Sequence, residues 1–332
     1  MLPDSKDGFP KCLYLDQNKW IDLSRAHYGR PDGEAFQPAL KAVREAVQSG
    51  RLVAPMSIVN LLEATSHKKP EPRERLARFM VDLSGNLAIL PFMAVYPWEI
   101  NNAVRAAFSD LLLLRIRAAI VVRGVHNALG KRMRIDGLPP EEEAKVIEEL
   151  NGPDMSVKLL LAEGNARNLH ETARKGDEEI AQICERKRAA AAAAKLSPEQ
   201  RLGCEVAELC SQGVGRQWFM KGLKEVGVSL EDCFAQLRAK NKEKEFFRGM
   251  PSINVFLSLI ATRDQELTRP IDRNDYKDIM GLAVAMPYCN LVVSEKHWGH
   301  MAKRLKFDKQ YDTILITDAR ELPEKLAAIG CV

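Results

Sequence analysis

The chain has 332 residues, 46% of them apolar and 28% charged, with a formal net charge of +4. That is enough apolar material to bury a sizeable core, in one large α/β domain or in a core domain carrying a second helical unit. The mildly basic balance permits a polyanionic partner without arguing for one. The most apolar run, 111–122, is broken by Arg115 and Arg117, which excludes a membrane span and makes a soluble protein the expectation.

In chain order, residues 12–15 form an apolar run closed by Asp16 and read as a buried strand. Residues 19–27 and 38–48 read as helices, the second closed by Gly50. A second strand follows at 52–54. Ser57 can cap a helix running to about residue 65, another helix is predicted over 72–83, and a third strand over 87–91. From 98 to 249 the pattern changes. Strand signals almost vanish, Ala, Leu, Glu, Lys and Arg dominate, and breaks fall near Gly137–Pro140, Gly152–Pro153 and Ser197–Pro198. After Pro270 the alternation returns, with helix at 275–286, strand at 291–294, helix at 297–305, strand at 313–317 and a terminal helix at 323–329. Strands separated by helices predict βαβ units and a parallel sheet. The two alternating blocks are expected to share one sheet, with the helical segment inserted between them.

Ligands of such sheets collect at the carboxyl ends of the strands, so the residues ending each strand are the first candidates for chemistry. Asp16 ends the first strand in LYLDQNKWIDL. Glu63 lies a turn or so into the helix after the second strand, in PMSIVNLLEAT. Asp278 lies near the start of a helix in NDYKDIMGLAVA, and Glu295 ends a strand in LVVSEKHW. Carboxylates brought together repel unless a cation sits between them, and hard oxygen-seeking ions such as Mg²⁺ or Mn²⁺ suit that role. Asp275 lies three residues before Asp278 on the same helix face and is an alternative ligand. Asp272 reads as a cap or turn residue.

These segments resemble the motifs of PIN-domain nucleases. LYLDQNKWIDL is similar to their opening strand, with Asp, any residue, Asn, and a helix bearing another Asp. PMSIVNLLEAT is similar to their second motif, a Ser followed six residues later by Glu. DIMGLAVAMPYCNLVVSEKHW resembles the third and fourth, closing on an acid and then Trp298. The resemblance covers about residues 11–97 and 270–330 and omits the helical middle. Gln17 stands where the family usually has a small hydroxyl residue, and Glu295 where Asp is more usual. The resemblance implies a three-layer α/β/α PIN-like core with a central parallel sheet, discontinuous over 1–97 and 270–332. A large all-helical insertion at 98–269 would act as a lid or substrate-recognition unit. It further implies a Mg²⁺- or Mn²⁺-dependent ribonuclease with Asp16, Glu63, Asp278 and Glu295 as catalytic metal ligands. RNA is the expected substrate ahead of single-stranded DNA. A toxin, a phage-defence effector and a processing enzyme all fit, as does an oligomer or an antitoxin-like partner.

Asn18 and Ser57 are candidates to orient these carboxylates, and each has a rival role as a helix cap. His297 and His300, at helical spacing beside Glu295, read as a surface pair ahead of a zinc pair. The stretch 105–134 is basic (Arg105, Arg115, Arg117, Arg123, Lys131, Arg132, Arg134). Its two readings are phosphate contact, with Arg115, Arg117 and Arg123 foremost, and solvated or internally paired side chains. The run Glu185-Arg-Lys-Arg188 reads as a solvated helix. The seven cysteines show no zinc-knuckle or CxxC spacing and no secretory signal is read ahead of the first strand, so reduced thiols in a cytoplasm are expected. Two rival functions remain. One is a phosphatase of the haloacid dehalogenase type, which needs a second Asp where Asn18 stands. The other is a metal-free PIN-like module that binds nucleic acid or protein.

Overall fold

The computed structural model describes residues 10–65, 70–130, 137–161 and 165–331; Lys131, Arg132 and Arg134 lie outside them. Strands β1 (Lys11–Leu15), β2 (Leu52–Val53), β3 (Leu87–Ile89), β4 (Val121–Arg123), β5 (Leu291–Val293) and β6 (Ile314–Ile316) stand among a majority of helices. Four of them form one sheet in the order β2-β1-β5-β6, every neighbour parallel. The register aligns Leu13 with Leu291 and Ile314, Tyr14 with Val292 and Leu315, and Leu15 with Val293 and Ile316. Successive side chains of a strand face opposite ways. Leu13, Leu15, Leu291, Val293 and Ile316 share one hydrophobic core, and Tyr14, Val292 and Leu315 on the opposite face are buried as well. A parallel sheet covered on both faces needs such unbroken apolar runs, which is why short strands with little alternation still read as strands. The fold is α/β.

β3 departs from the expected single sheet. It pairs antiparallel with β4 and bridges to Met56, three residues after β2, whose N–H donates to Leu87 O at 2.9 Å and whose carbonyl accepts from Ile89 N at 2.8 Å. β4 lies where the sequence shows almost no strand signal. Three residues, Val-Val-Arg, are too few to carry a period, and a distant partner decides their conformation.

The chain divides into two compact units. A sheet unit comprises Lys6–Pro91, Ala118–Lys175 and Tyr288–Val332, and a helical unit contains Phe92–Arg117 and Gly176–Pro287. The segment 98–269 is thus shared between them.

In the sheet unit, helix Gln17–His27 begins at Asp16, whose side chain accepts from Gln17 N at 2.8 Å. It buries Trp20, Leu23 and Ala26 at helical spacing. It ends at Tyr28 and Gly29, the latter at φ +62°, where glycine avoids the Cβ clash. The following 3₁₀ turn, Pro31–Phe36, lies flat against this helix. A Cβ on Gly33 would stand 2.3 Å from backbone atoms of Arg25 and Ala26, so only glycine allows the approach.

In the helical unit, buried charge is matched internally. Glu99, fully buried on helix Phe92–Phe108, accepts from Ser252 N at 2.9 Å and Ser252 Oγ at 2.7 Å, and so caps the N-terminus of helix Pro251–Arg263. Asp264 is held by Arg201 and by Arg263, whose Nε lies at 2.8 Å. Arg188 corrects the solvated reading of its cluster. It is 8% exposed and donates to Glu266 O at 3.1 Å, Arg269 O at 2.6 Å and Glu185 Oε1 at 2.7 Å, tying the turn after helix Pro251–Arg263 to its own helix, Asn165–Ala193. None of the seven cysteines forms a disulfide, and Cys12 Sγ lies 3.3 Å from Cys289 Sγ. No helix among the described residues is long and apolar enough to cross a membrane.

Candidate active site at the carboxyl edge of the sheet

β1 and β5 are neighbours, and each ends in an acid that starts the next helix. Asp16 precedes helix Gln17–His27 and Glu295 precedes helix Lys296–Arg304. The join is tight, with Asp16 N donating to Val293 O at 3.0 Å. Asp16's carboxyl is pushed up to about 6, first by burial and then by the charge of Glu295; the N–H groups of Gln17 and Glu295 pull it back only in part. Glu295's side chain does not cap its own helix. It accepts instead from Asn18 Nδ2 at 2.5 Å, so Asn18, one residue into the first helix, is the bridge between the two strand ends.

Behind Asp16 lies a buried amide network. Asn60 is fully buried and donates through Nδ2 to Gln17 Oε1 at 3.2 Å and Leu15 O at 3.4 Å. Its Oδ1 accepts from Ser57 Oγ at 2.9 Å and Ser57 N at 3.0 Å, and Ser57 Oγ accepts from Asn60 N at 3.2 Å. Ser57 therefore caps helix Ile58–Thr65 as the sequence predicts and steadies Asn60, which holds Gln17 beside Asp16. Gln17, set where the resembled family has a small hydroxyl, is buried, and its Nε2 has no partner among the described residues. Asn60 escaped the sequence reading, although an amide in the apolar stretch SIVNLLEA was a signal.

Glu63 is half-buried on helix Ile58–Thr65, one turn after Asn60 and so on the same helix face. Asp278 is half-buried on the first turn of helix Asp275–Tyr288, within the helical unit. Asp275 is otherwise engaged. It is 1% exposed, grips Arg269 through both oxygens at 2.6 and 3.0 Å, and accepts from Asp272 N at 3.0 Å. Asp272 accepts from Asn274 N at 2.8 Å, the turn role read from sequence.

A further strand-ending acid was missed. Asp318 follows β6 in ILITDARE, and the rule that picks Asp16 and Glu295 picks it too. Arg320 grips it at 2.9–3.0 Å and holds its carboxyl below the usual range. Burial raises Asp22, and the negative charges of Asp318 and Asp32 add to this while Lys19 and Arg25 oppose it. Lys19 is the cation common to Asp16, Asp22 and Asp318, and on Asp16 it is the smallest influence.

Of the basic residues, Arg115 is exposed and Arg117 is 8% exposed, so the Arg117 guanidinium is largely withdrawn from solvent. Arg123 is exposed and pairs with Glu148 at 3.7 Å; Arg105 pairs with Glu225 at 3.1 Å. Both pairings follow the internal reading of this stretch. His300 is exposed, and the ring of His297 meets Trp298 edge-on at 4.8 Å.

The donor chemistry of the strand ends fits a hard divalent ion, being two carboxylates that repel each other with neither sulfur nor imidazole between them. Among the described residues no three His, Cys, Asp or Glu side chains are gathered as a metal-binding group. Comparison of the chain with family models, curated proteins and solved structures finds no match.

Proposed function

We propose that this chain is a metal-dependent nuclease on a PIN-like core, hydrolysing phosphodiester bonds in RNA ahead of single-stranded DNA. The observation that carries the reading is the pair Asp16 and Glu295, set on adjacent parallel strand ends with Asp16 raised to about 6 partly by its neighbour's charge. The hydrogen bonds to this pair come from neutral N–H groups, of Gln17, Glu295 and Asn18, and the two charges oppose each other, a setting that a cation would relieve. Asp16 and Glu295 would hold Mg²⁺ or Mn²⁺, and Glu63 and Asp278 join them in this reading on their sequence motifs. A divalent ion so held supplies positive charge against a phosphoryl oxygen and lowers the pKa of bound water. Asn18 fixes the Glu295 carboxylate through its 2.5 Å hydrogen bond, and the Ser57–Asn60–Gln17 chain fixes the backbone at Asp16. In this reading the protein works in the cytoplasm.

The test incubates purified protein with total RNA, single-stranded DNA and duplex DNA, with and without Mn²⁺. Cleavage that needs the metal and vanishes in Asp16→Asn is the expected result. Intact substrates in every arm overturn the reading. A second reading is a PIN-like module that binds nucleic acid or a protein partner without cutting, for which the motif departures at Gln17 and Glu295 leave room. Calorimetric titration with Mn²⁺ separates the two, since a module without an ion site gives no heat.

A further inference from the structure

Helix Gln17–His27 links the acidic edge to a second feature. Asn18, Ile21, Arg25 and Tyr28 follow at i, i+3, i+7 and i+10, one stripe along the helix. Asn18 touches Glu295 at one end of the stripe. At the other end, about 18 Å from Asp16 at 1.5 Å per residue, the stripe runs into a groove of about 280 Å³. Ile21, Arg25, Tyr28 and Arg30 line it on one side, and Glu71 and Arg75 of helix Pro70–Ser84 on the other.

The groove has the parts of a single-strand nucleic-acid subsite. Three guanidinium groups reach it from separate segments, against one lining carboxylate. Each is substantially exposed, at 40% for Arg25, 54% for Arg30 and 52% for Arg75. Asp32 pairs with Arg25 and Arg30, and Glu71 with Arg75, and both acids are exposed; Arg25 also lies 3.5 Å from Asp22, which is half-buried. Exposed ion pairs contribute little, so a phosphate can take their place at small cost. Arg75 also lies over the Tyr28 ring, 5.5 Å from its centre, while the Tyr28 hydroxyl donates to Arg75 O at 3.1 Å. Tyr28 is 37% exposed. A ring and guanidinium locked together at the rim of a basic groove form a surface on which any base can stack. Gly33 sets the geometry, since its close approach presses the turn bearing Arg30 and Asp32 against the helix.

We propose that this groove is a subsite for a single-stranded nucleic acid, which lies along helix Gln17–His27 with one base against Tyr28–Arg75 and its phosphates on Arg25, Arg30 and Arg75. The direction of the strand, toward Asp16 and Glu295, rests on the nuclease reading; the binding does not. Such contacts hold the backbone without reading sequence.

The test measures fluorescence anisotropy of a labelled single-stranded RNA in EDTA, so that nothing is cut. Arg30→Gln with Arg75→Gln should weaken binding about tenfold and make the salt dependence shallower, by roughly 0.7 in slope per lost phosphate contact. Glu71→Gln, which releases Arg75 from its acid, should tighten binding, an effect that a purely structural role for these residues does not produce and that remains readable if the double variant fails to fold. An abasic strand of equal length should bind more weakly than the RNA. Wild-type protein that ignores the RNA, or a folded double variant with unchanged affinity and slope, overturns the proposal; so does tighter or equal binding of the abasic strand. Cleavage is assayed separately with Mn²⁺. Arginine-dependent binding without cleavage sinks the nuclease and keeps the subsite, whereas cleavage indifferent to these arginines does the reverse.

Discussion

Asp264 in the helical unit is buried and Asp16 in the sheet unit is half-buried, and the protein treats these two acids in opposite ways. Asp264 lies between two buried guanidiniums, those of Arg201 and Arg263. Glu99 receives the N-terminal amides of a helix, and Asp275 is clasped by Arg269. Asp16 receives two backbone N–H groups, only distant help from Lys19, and a second carboxylate nearby. Burial of a charge is costly unless it is matched, so a matched acid reads as architecture, while Asp16 and Glu295 oppose each other. Side-chain partners, more than burial, separate the acids that hold this molecule together from those that would act.

The largest expected effect breaks the first half of that contrast. Asp264→Ala leaves two buried guanidiniums facing each other without an anion. Loss of one partner from a buried ion network costs about 3–5 kcal/mol. Urea denaturation should show that loss in the midpoint, or the variant should fail to fold; a shift within error would mean that Asp264 is no keystone. Asp275→Asn is smaller. It weakens a bidentate grip on a guanidinium that is 34% exposed, and a cost of about 1–2 kcal/mol is expected, with nucleolytic activity, where measured, unchanged. Lost activity at full stability would restore Asp275 as a metal ligand.

The second half of the contrast is tested by pH. Asp16→Asn should leave stability near wild type, since Asn also caps helices well, while removing activity. Asp16's folded pKa lies at about 6, above its ordinary 3.8, so over that window the folded state binds more protons than the unfolded one. Its contribution to stability is therefore favourable as pH falls through about 6 toward 4 and is lost as pH rises through that range. Metal-free wild type should gain stability relative to Asp16→Asn on acidification across the window. A wild type that instead loses stability relative to Asp16→Asn on acidification would place Asp16 among the matched acids, and a flat difference would mean that its folded pKa is not raised.

Much of this arrangement was legible in the sequence. The runs at 12–15 and 291–294 could be read as strands because both faces of a parallel sheet are buried, and Asp16 and Glu295 followed from the rule about strand ends. What escaped depends on partners distant in sequence. β4 is a strand because β3 lies beside it. Asp275 and Asp278 sit on one helical turn with the same local chemistry, and only Arg269, across a turn, marks Asp275 as taken. Arg188 looks like one more residue of a charged run until the carbonyls of 266 and 269 reach it. Asp318 was readable by the same rule as Asp16, and so, two residues on, was its partner Arg320.

Asn18→Ala is the smallest change and the sharpest separation of the two classes. Asn18 is exposed, so its loss removes little buried surface, and its bond to Glu295 ties the two strand ends together through side chains. If that amide is merely a surface residue at the start of a helix, the variant should melt within about 0.5 kcal/mol of wild type and bind Mn²⁺ as before. If it orients Glu295 for an ion, stability should be equally unmoved while Mn²⁺ affinity, read by calorimetry, falls about 10- to 100-fold, the usual cost of losing a residue that aims a ligand. Asn18→Asp then distinguishes orientation from charge. It cannot donate to Glu295 when ionised and adds a third carboxylate to the pair, so metal-free stability should fall and Mn²⁺ should recover it. Recovery by Mn²⁺ in Asn18→Asp beside weakened binding in Asn18→Ala assigns the edge to a cation. Two variants that both bind Mn²⁺ like wild type would return Asn18 and Glu295 to the surface.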